Sequence, residues 1–339
     1  MLTQMQTRVE PYGFADLVAH SVLDARMLAQ ELAARYDLPE GVRVSLLFRG
    51  MNDVYVVTAG GRRWALRVWR GRWRALDEVE NELSFLNFLR ARDFPASFPV
   101  RLSDGSWYFT LDAPEAVRAV ALYEWAPGVK VFAQHTPKTA AEVGRLLARM
   151  HVLGRDYRPA HVVDLDEGAL LHDLPALIDL VADRPGEGEA YARFAPLVQA
   201  ALERMADRDL PSGASHGDLH PSNAHIDEAG RITILDFDGC GTGYFLKDIA
   251  NYVFGSDFYG FPPELGEAFV RGYDEVRPMT TDERRYLDFF VFVKTFQLAA
   301  GIAQNVNSVG RGSLNFRGLD WFHERVLAGM ERHADLIGG

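Results

Sequence analysis

The sequence predicts an α+β chain in which an antiparallel, β-rich N-terminal lobe is followed by a mostly helical C-terminal lobe. Residues 43–70, RVSLLFRGMNDVYVVTAGGRRWALRVWR, contain β-branched and aromatic runs separated by the turn signals RGMND and AGGR, which is typical of three consecutive antiparallel strands. After Ala126, Pro127 and Gly128, apolar residues recur mainly at helical spacing. We therefore expect the hinge between the lobes at this tripeptide.

The same periodicities predict the other elements. Residues 23–36 place apolar side chains at helical spacing, and a second helical stripe runs from Leu76 to Leu89. The segment RLSDGSWYFTL reads as a strand pair that turns at Asp104 and Gly105, and AVALYEW reads as a further strand. We expect a helical extension over residues 1–40, a β-rich lobe over 41–125 and a helical lobe over 126–339.

Composition narrows the class of protein. The 36 Lys and Arg residues against 47 Asp and Glu residues give a net charge of −11, which argues against a general binder of nucleic acid or anionic membranes. Cys240 is the sole cysteine, so no internal disulfide forms, and no apolar signal segment opens the sequence. The apolar stretch FFVFVKTFQLAAGIAQ is interrupted by Lys294 and is expected to be a core helix that falls short of a membrane span. A cytoplasmic location is expected.

A dense polar stretch, SHGDLHPSNAHIDEAGRITILDFDG, spans residues 215–239. If DEAG forms a four-residue turn, Asn223 faces Ile234, and strand alternation places Asp236 on the same face. An amide oxygen and a carboxylate suit Mg²⁺, which takes its remaining ligands from water and substrate phosphates. Asp238 shares this face and is a candidate for a second ion.

Asp218 lies five residues before Asn223 on a loop that contains Pro221. A carboxylate beside a metal-bound phosphate can accept a proton from an attacking hydroxyl or orient it. The order of Asp, Asn five residues later, a short hairpin and Asp-Phe is that of kinases.

These motifs resemble those of the aminoglycoside phosphotransferase and choline kinase superfamily, small-molecule relatives of protein kinases. SHGDLHPSN resembles the catalytic loop, ILDFDGCGTGYFLKDIA the metal segment and RGMNDVYVV the turn that covers phosphates, in the family's order from about Val42. The resemblance implies a bilobal protein-kinase-like fold, with Asp218 as catalytic base and Asn223 and Asp236 as Mg²⁺ ligands. It further implies that Asp248 braces the catalytic loop and that His216 positions it.

The nucleotide side departs from the kinase pattern. The third strand carries Arg67 where kinases usually have a lysine that grips the nucleotide phosphates, and Arg70 is an equally eligible alternative. A guanidinium can bind phosphate in a bidentate way. The acidic partner on the following helix is expected to be Glu82, with Glu78 as the alternative.

Two further segments complete the expected nucleotide site. The turn RGMND places Gly50 and Asn52 between two strands, although it lacks the G-x-G-x-x-G pattern. The hinge strand offers backbone groups to adenine at Glu124 and Trp125. The cofactors expected from the resemblance are ATP, with GTP as an alternative, and Mg²⁺.

The resulting functional hypothesis is an ATP-dependent phosphotransferase acting on a hydroxyl of a small molecule: a metabolite, an amino alcohol or amino acid, or an aminoglycoside-like antibiotic. The alternatives are a stress-type protein Ser/Thr kinase of the same fold and an inactive nucleotide-binding pseudokinase. Candidate acceptor contacts are carboxylates for an amine and amides for hydroxyls: Asp274, Glu275, Gln297, Gln304, Asn305 and Asn307. The sequence does not predict an oligomeric state.

Overall fold

The computed structural model describes residues 18–159, 173–205, 207–310 and 317–338. These residues divide into two compact units. The first contains the described residues up to Leu76 together with Pro99–Glu124, and the second contains Asp77–Phe98 and the described residues from Trp125 onward. The segments predicted above, 1–40, 41–125 and 126–339, concern functional lobes and stay a prediction.

The first unit is built on an antiparallel sheet of five strands, which confirms the predicted antiparallel, β-rich character. The strands are β1 (Arg43–Arg49), β2 (Asp53–Ala59), β3 (Arg62–Val68), β4 (Phe109–Asp112) and β5 (Val117–Glu124). Their order in the sheet is β1-β2-β3-β5-β4. In the strand pair predicted around Asp104 and Gly105, the first half is not a strand, and the second half contributes Phe109–Asp112. Helix α1 (Ala25–Arg35) begins at Asp24, whose side chain accepts the backbone N–H groups of Arg26 and Met27 and so satisfies donors that the first turn leaves unpaired.

The core of this unit lies between α1 and one face of the sheet. Leu28, Leu32 and Tyr36 pack with Tyr55 and Val57 of β2, and all five are buried. The burial pattern of β2 alternates strictly, as expected for a strand with one core-facing side. The extension and the sheet therefore share one apolar core.

A buried ionic cluster ties the segment before α1 to the sheet. Arg118, 1% exposed, donates to the Asp53 carboxylate at 2.8 Å and to the backbone oxygens of Trp69 and Ser21 at 2.7 Å each. His20 Nε2 lies 3.0 Å from the other Asp53 oxygen. Every charge in the cluster has a partner, which is the condition under which buried charges are tolerated.

The second unit is mostly helical, as predicted. Its helices are α2 (Leu76–Arg90), of which the first residue falls in the first unit, α3 (Pro137–Gly154), α4 (Leu174–Leu180), α5 (Pro185–Glu203), α6 (Phe245–Phe258), α7 (Pro263–Val276), α8 (Thr281–Val309), α9 (Leu319–Arg332) and α10 (Ala334–Ile337). Its short strands are β6 (Val129–Lys130), β7 (Ser212–Ser215), β8 (Ala224–Ile226), β9 (Ile232–Ile234) and β10 (Gly241–Tyr244). β10 pairs with β7, and β8 lies between β6 and β9.

Helix α8 contains the apolar stretch around Lys294. Thr281–Val306 is long and apolar enough to cross a membrane by length and composition, so the expectation that this stretch falls short of a span is wrong. Yet 56% of the apolar window is buried inside the structure, and a core helix of a soluble protein passes the same test. The helix starts at a Thr280–Glu283 capping box.

Candidate active site

The hairpin that carries the candidate metal ligands has a register one residue away from the predicted one. β8 pairs with β9 so that Ala224 faces Ile234. The expectation that Asn223 faces Ile234 is therefore wrong. Because strand side chains alternate, a shift by one residue reverses the face of every side chain, so the common face predicted for Asn223 and Asp236 loses its basis.

The register follows from the chemistry of the turn. The backbone N–H of Asp227 donates to the oxygen of Arg231 at 3.0 Å, which leaves a loop of residues 228–230. The Asp227 side chain accepts the backbone N–H groups of Ala229 and Arg231 at 2.9 Å each, and Gly230 closes the loop at φ 78°. This is the three-residue hairpin loop with glycine in the left-handed position.

Asn223 and Asp236 are nevertheless brought close along the backbone. The N–H of Leu235 donates to the oxygen of Asn223 at 2.8 Å, so Asp236 follows a residue that is bonded directly to Asn223. Asp236 itself is left-handed, at φ 61° and ψ 64°, which is uncommon outside glycine but tolerated by Asp. The chain leaves the strand at this residue, and alternation no longer sets the direction of its side chain.

The donor set fits Mg²⁺. Asn223 Nδ2 donates to the backbone oxygen of Asp218 at 2.9 Å, and this leaves its side-chain oxygen as the acceptor. Asp236 adds an exposed carboxylate. Such a pair of hard oxygens suits an ion that takes its other ligands from phosphates and water. In the described part of the chain, no three His, Cys, Asp or Glu side chains come together as a metal site. An ion at Asn223 and Asp236 would therefore need phosphate or water as further ligands. The role of Asn223 and Asp236 as ligands stays a proposal.

The loop of residues 216–223, hereafter the 216–223 loop, is held against the segment that follows Asp236. Gly217 has φ 80°, and a Cβ atom placed there would lie 1.8 Å from the oxygen of Gly239. Both the conformation and the close approach require glycine. The Asp218 side chain follows directly and is 48% exposed. A carboxylate with this exposure is accessible to a substrate.

Asp248 of α6 fixes this loop, as the resemblance implied. Its carboxylate accepts the backbone N–H groups of His216 and Gly217, each at 2.7 Å, and lies 3.0 Å from His151 Nε2. Asp248 is fully buried. Burial acts to raise the pKa of the Asp248 carboxyl, but the hydrogen bond from His151 and the other donors outweigh it and hold that pKa below its usual value.

His151 continues the support into the core. Burial lowers its pKa, so the ring is neutral, with Nε2–H donating to Asp248 and Nδ1 accepting from the Tyr273 hydroxyl at 2.7 Å. Tyr273 in turn accepts from Arg277, which pairs with Glu283 at 2.9 Å. A continuous buried chain of hydrogen bonds therefore runs from the 216–223 loop to the start of α8.

A cavity of about 110 Å³ opens beside Asp218. Asn251 and aromatic and apolar side chains of α6 and α8 form much of its wall, and two basic side chains flank the carboxylate. Its lining residues are Asp218, His220, Asn251, Phe254, Gly255, Phe258, Tyr259, Lys294 and Leu298. Lys294 Nζ is 3.6 Å from Asp218 Oδ1, and His220 Nε2 is 3.8 Å from Asp218 Oδ2.

The residues expected around the nucleotide phosphates lie at one end of the first unit's sheet. Gly50 N–H donates to the oxygen of Asn52 at 3.1 Å, and Asn52, 8% exposed, accepts the backbone N–H of Arg70 at 3.1 Å. The Arg67 guanidinium lies over the Tyr123 ring, 5.2 Å from its centroid. This arrangement orders the turn and Arg67, but their contact with a nucleotide stays a proposal.

The remaining nucleotide-side candidates differ in accessibility. Glu124 is exposed at the end of β5. In the second unit, Glu82 is 2% exposed, whereas Glu78 and Trp125 are half-buried. A carboxylate as buried as Glu82 needs a cation or several donors, which is consistent with the expected partner role. Glu78 stays open as the alternative.

Among the described side chains, none of the acceptor contacts expected from the sequence lines the cavity beside Asp218. Asp274 pairs with Arg284 at 2.8 Å, and Glu275 pairs with Arg145 at 2.7 Å. Neither lines the cavity beside Asp218. Asn305 donates to the backbone of its own helix, Gln297 and Gln304 are outside the cavity lining, and the side chain of Asn307 lies outside the described set.

Sequence reasoning missed Lys294 and Asn251 as cavity residues and His151 as a support of the 216–223 loop. Lys294 was treated only as an interruption of an apolar stretch. The signal was present, because a single lysine in an otherwise apolar core helix is costly unless it has a partner or a function. Asn251 donates to the backbone of Leu219 at 2.7 Å, and no sequence pattern announces that contact.

Comparisons with known proteins identify the family of the chain. The family model described as "Phosphotransferase enzyme family" matches residues 50–289. An uncharacterized protein of Deinococcus radiodurans is 34% identical over 87% of this chain and 86% of its own length. The homoserine kinase of Granulibacter bethesdensis is 30% identical over 75% of this chain and 78% of its own length.

Solved structures share the fold. A microcompartment-associated aminopropanol kinase aligns with a TM-score of 0.77 and 24% identity, covering 92% of this chain and 98% of its own. An amicoumacin kinase in complex with AMP-PNP, Ca²⁺ and Ami aligns with a TM-score of 0.72 and 19% identity, covering 90% of this chain and 93% of its own. The kinase-like α+β fold predicted from the sequence is confirmed.

The fold and the family match together define a small-molecule phosphotransferase. The chain belongs to the phosphotransferase enzyme family, and the prediction that it is a kinase is confirmed.

Proposed function

We propose that this phosphotransferase moves the γ-phosphoryl group of ATP to a hydroxyl of a small metabolite in the cytoplasm. The observation that carries the proposal is the half-exposed Asp218 carboxylate in the wall of the cavity between α6 and α8. An enclosed acceptor site beside the reacting groups supplies proximity and excludes water, which account for much of the catalysis in this reaction class. The amino acid and amino alcohol substrates named for the related kinases support an acceptor of this size.

The proposed chemistry assigns a step to each group. The acceptor hydroxyl lies within hydrogen-bond reach of Asp218, and its proton passes to that carboxylate as the acceptor oxygen bonds to the γ-phosphorus. The bond from the γ-phosphorus to the bridging oxygen breaks, and ADP leaves with the electron pair. Asp248 keeps the 216–223 loop in place throughout.

Asn223 and Asp236 would hold Mg²⁺, which when bound neutralises charge on the nucleotide phosphates. Arg67 is proposed to bind those phosphates, with Glu82 as its acidic support. Gly50 and Asn52 are proposed to cover them, and the backbone at Glu124 and Trp125 to bind the adenine. GTP is the alternative donor, and Arg70 is the alternative to Arg67.

The test is an ADP-release assay on the purified chain with ATP, Mg²⁺ and pools of hydroxylated metabolites, followed by mass analysis of the products. We expect slow ATPase activity that rises with an accepted alcohol. Asp218→Asn should lower turnover by about 10²- to 10⁴-fold with little change in nucleotide affinity. Asp257→Asn on the outer surface of α6 is the control and should match the parent. Intact turnover in Asp218→Asn would contradict the assignment, and phosphate found solely on added protein would favour a protein kinase.

A further inference from the structure

Lys294 occupies an unusual place in the cavity wall. It lies within α8, and its side chain is 22% exposed, against 48% for the Asp218 side chain that it approaches. The side chain is therefore largely enclosed by protein, and it lines the cavity together with Phe254, Phe258 and Leu298. An enclosed ammonium among apolar side chains destabilises the fold unless it has strong partners.

The ion pair with Asp218 stabilises Lys294 in this position only weakly. The separation of 3.6 Å exceeds the 2.7–2.9 Å that is usual for a charge-assisted hydrogen bond. Asp218 is also half-exposed, and ion pairs with such partners contribute little to stability. An ammonium has three donors, so the geometry leaves Lys294 able to bind a second anionic group.

The charge of the cavity favours an anionic group on the acceptor over an amine. Among the described residues that line the cavity, Asp218 is the one acidic side chain, whereas Lys294 and His220 are basic. Because Asp218 has to accept the hydroxyl proton, it is not a lasting counter-ion for an amine. The charge that remains for recognition is positive.

We infer that Lys294 binds a carboxylate of the acceptor, so that the substrate is a short hydroxy acid or hydroxy amino acid. The inference rests on the proposed function, since it takes the cavity to be the acceptor site. One ammonium matches the single charge of a carboxylate, whereas bidentate recognition of phosphate favours arginine, and the described cavity lining contains none. Because Lys294 and Asp218 are 3.6 Å apart, the hydroxyl and carboxylate of the acceptor are separated by only a few bonds.

The experiment uses acceptors that differ by one charged group. L-Homoserine carries both an amine and a carboxylate, 3-aminopropan-1-ol lacks the carboxylate, and 4-hydroxybutyrate lacks the amine. An untargeted pool of metabolites is tested in parallel, and phosphorylated products are identified by mass. We expect the parent to prefer acceptors with a carboxylate by about 10- to 100-fold in kcat/KM, the usual range for a charged hydrogen bond.

Two variants and one control then test the residue itself. Lys294→Met should remove this preference, mainly through KM for the carboxylate-bearing acceptor, while 3-aminopropan-1-ol is little affected. Lys294→Arg keeps the charge and should restore part of the preference. Lys138→Met, at an exposed position in the first turn of α3, is the matched control and should behave as the parent.

The outcomes separate this inference from the proposed function. A parent that prefers acceptors without a carboxylate, or a Lys294→Met variant that loses activity equally on all acceptors, overturns the inference and leaves the phosphotransferase proposal standing. The same holds if the product from the metabolite pool lacks a carboxylate. If no small molecule is phosphorylated at all, the proposed function fails, and the inference fails with it.

Discussion

Replacing Asp248 by asparagine should uncouple the 216–223 loop from α6 while preserving the shape of the side chain. The carboxylate accepts three hydrogen bonds, from the N–H groups of His216 and Gly217 and from His151 Nε2. An amide has one oxygen, and its NH₂ group has to face at least one of these buried donors. We therefore expect lower stability together with slower turnover, because Asp218 follows Gly217 directly.

The magnitude can be worked from those contacts. One buried donor without a partner costs about 1–3 kcal/mol, and the remaining bonds lose the extra strength given by the charged acceptor, about 1 kcal/mol each. With two bonds remaining, the sum is about 3–5 kcal/mol. A typical domain is stable by about 5–15 kcal/mol, so Asp248→Asn should still fold, at a melting temperature several degrees below the parent.

The assay is thermal or urea unfolding combined with steady-state turnover. Asp257→Asn is a matched control on the same helix, because the Asp257 side chain is 48% exposed and pairs with Arg325 at 2.8 Å. Such a pair contributes about 0–1 kcal/mol. If Asp248→Asn unfolds at the same denaturant concentration as Asp257→Asn and keeps full turnover, the bracing role of Asp248 is wrong.

The remaining predictions concern charge and protonation outside the reacting centre. Arg118→Met should destabilise the chain by about 3–5 kcal/mol, because it leaves the Asp53 carboxylate buried without its guanidinium; urea unfolding that matches the parent would contradict this. Burial lowers the pKa of His135 from 6.5 to about 4, so the folded state keeps the neutral ring. The contribution of the neutral His135 ring to the free energy of unfolding is fully present above about pH 6.5 and is lost as the pH falls toward 4. His135→Phe should therefore show a shallower fall of melting temperature over that interval, and an unchanged slope would assign the effect to other histidines.

The elements of the fold were predictable because periodicity and turn residues act locally. The three strands between Arg43 and Val68 and the helix near Leu76 follow directly from alternation and helical spacing. The hairpin register was not predictable by counting residues, since it depends on the Asp227 side chain, which caps backbone N–H groups and shortens the loop. The hydrogen bonds of this one side chain shifted every later assignment of side chains to a face of the hairpin.

The candidate active site also contains residues that the sequence predicted and residues that it did not. The spacing of Asp218, Asn223 and Asp236 was readable because these residues belong to one short segment of the chain. Lys294 reaches Asp218 from a helix more than seventy residues later, and a tertiary contact of that kind leaves no periodic trace. The basic side of the cavity therefore emerged only from the structure.

The buried chain from Asp248 through His151 and Tyr273 to Arg277 and Glu283 has a consequence for divergence and engineering. Each residue of this chain is the hydrogen-bond partner of the next, so replacing one residue leaves a buried polar group without its partner. Replacing several of them together by apolar residues of similar volume can leave the stability unchanged. Substitutions along the chain should therefore be strongly epistatic. A more stable or repurposed variant is reached by exchanging the residues distal to His151 as a set, with Asp248 and its backbone contacts left intact.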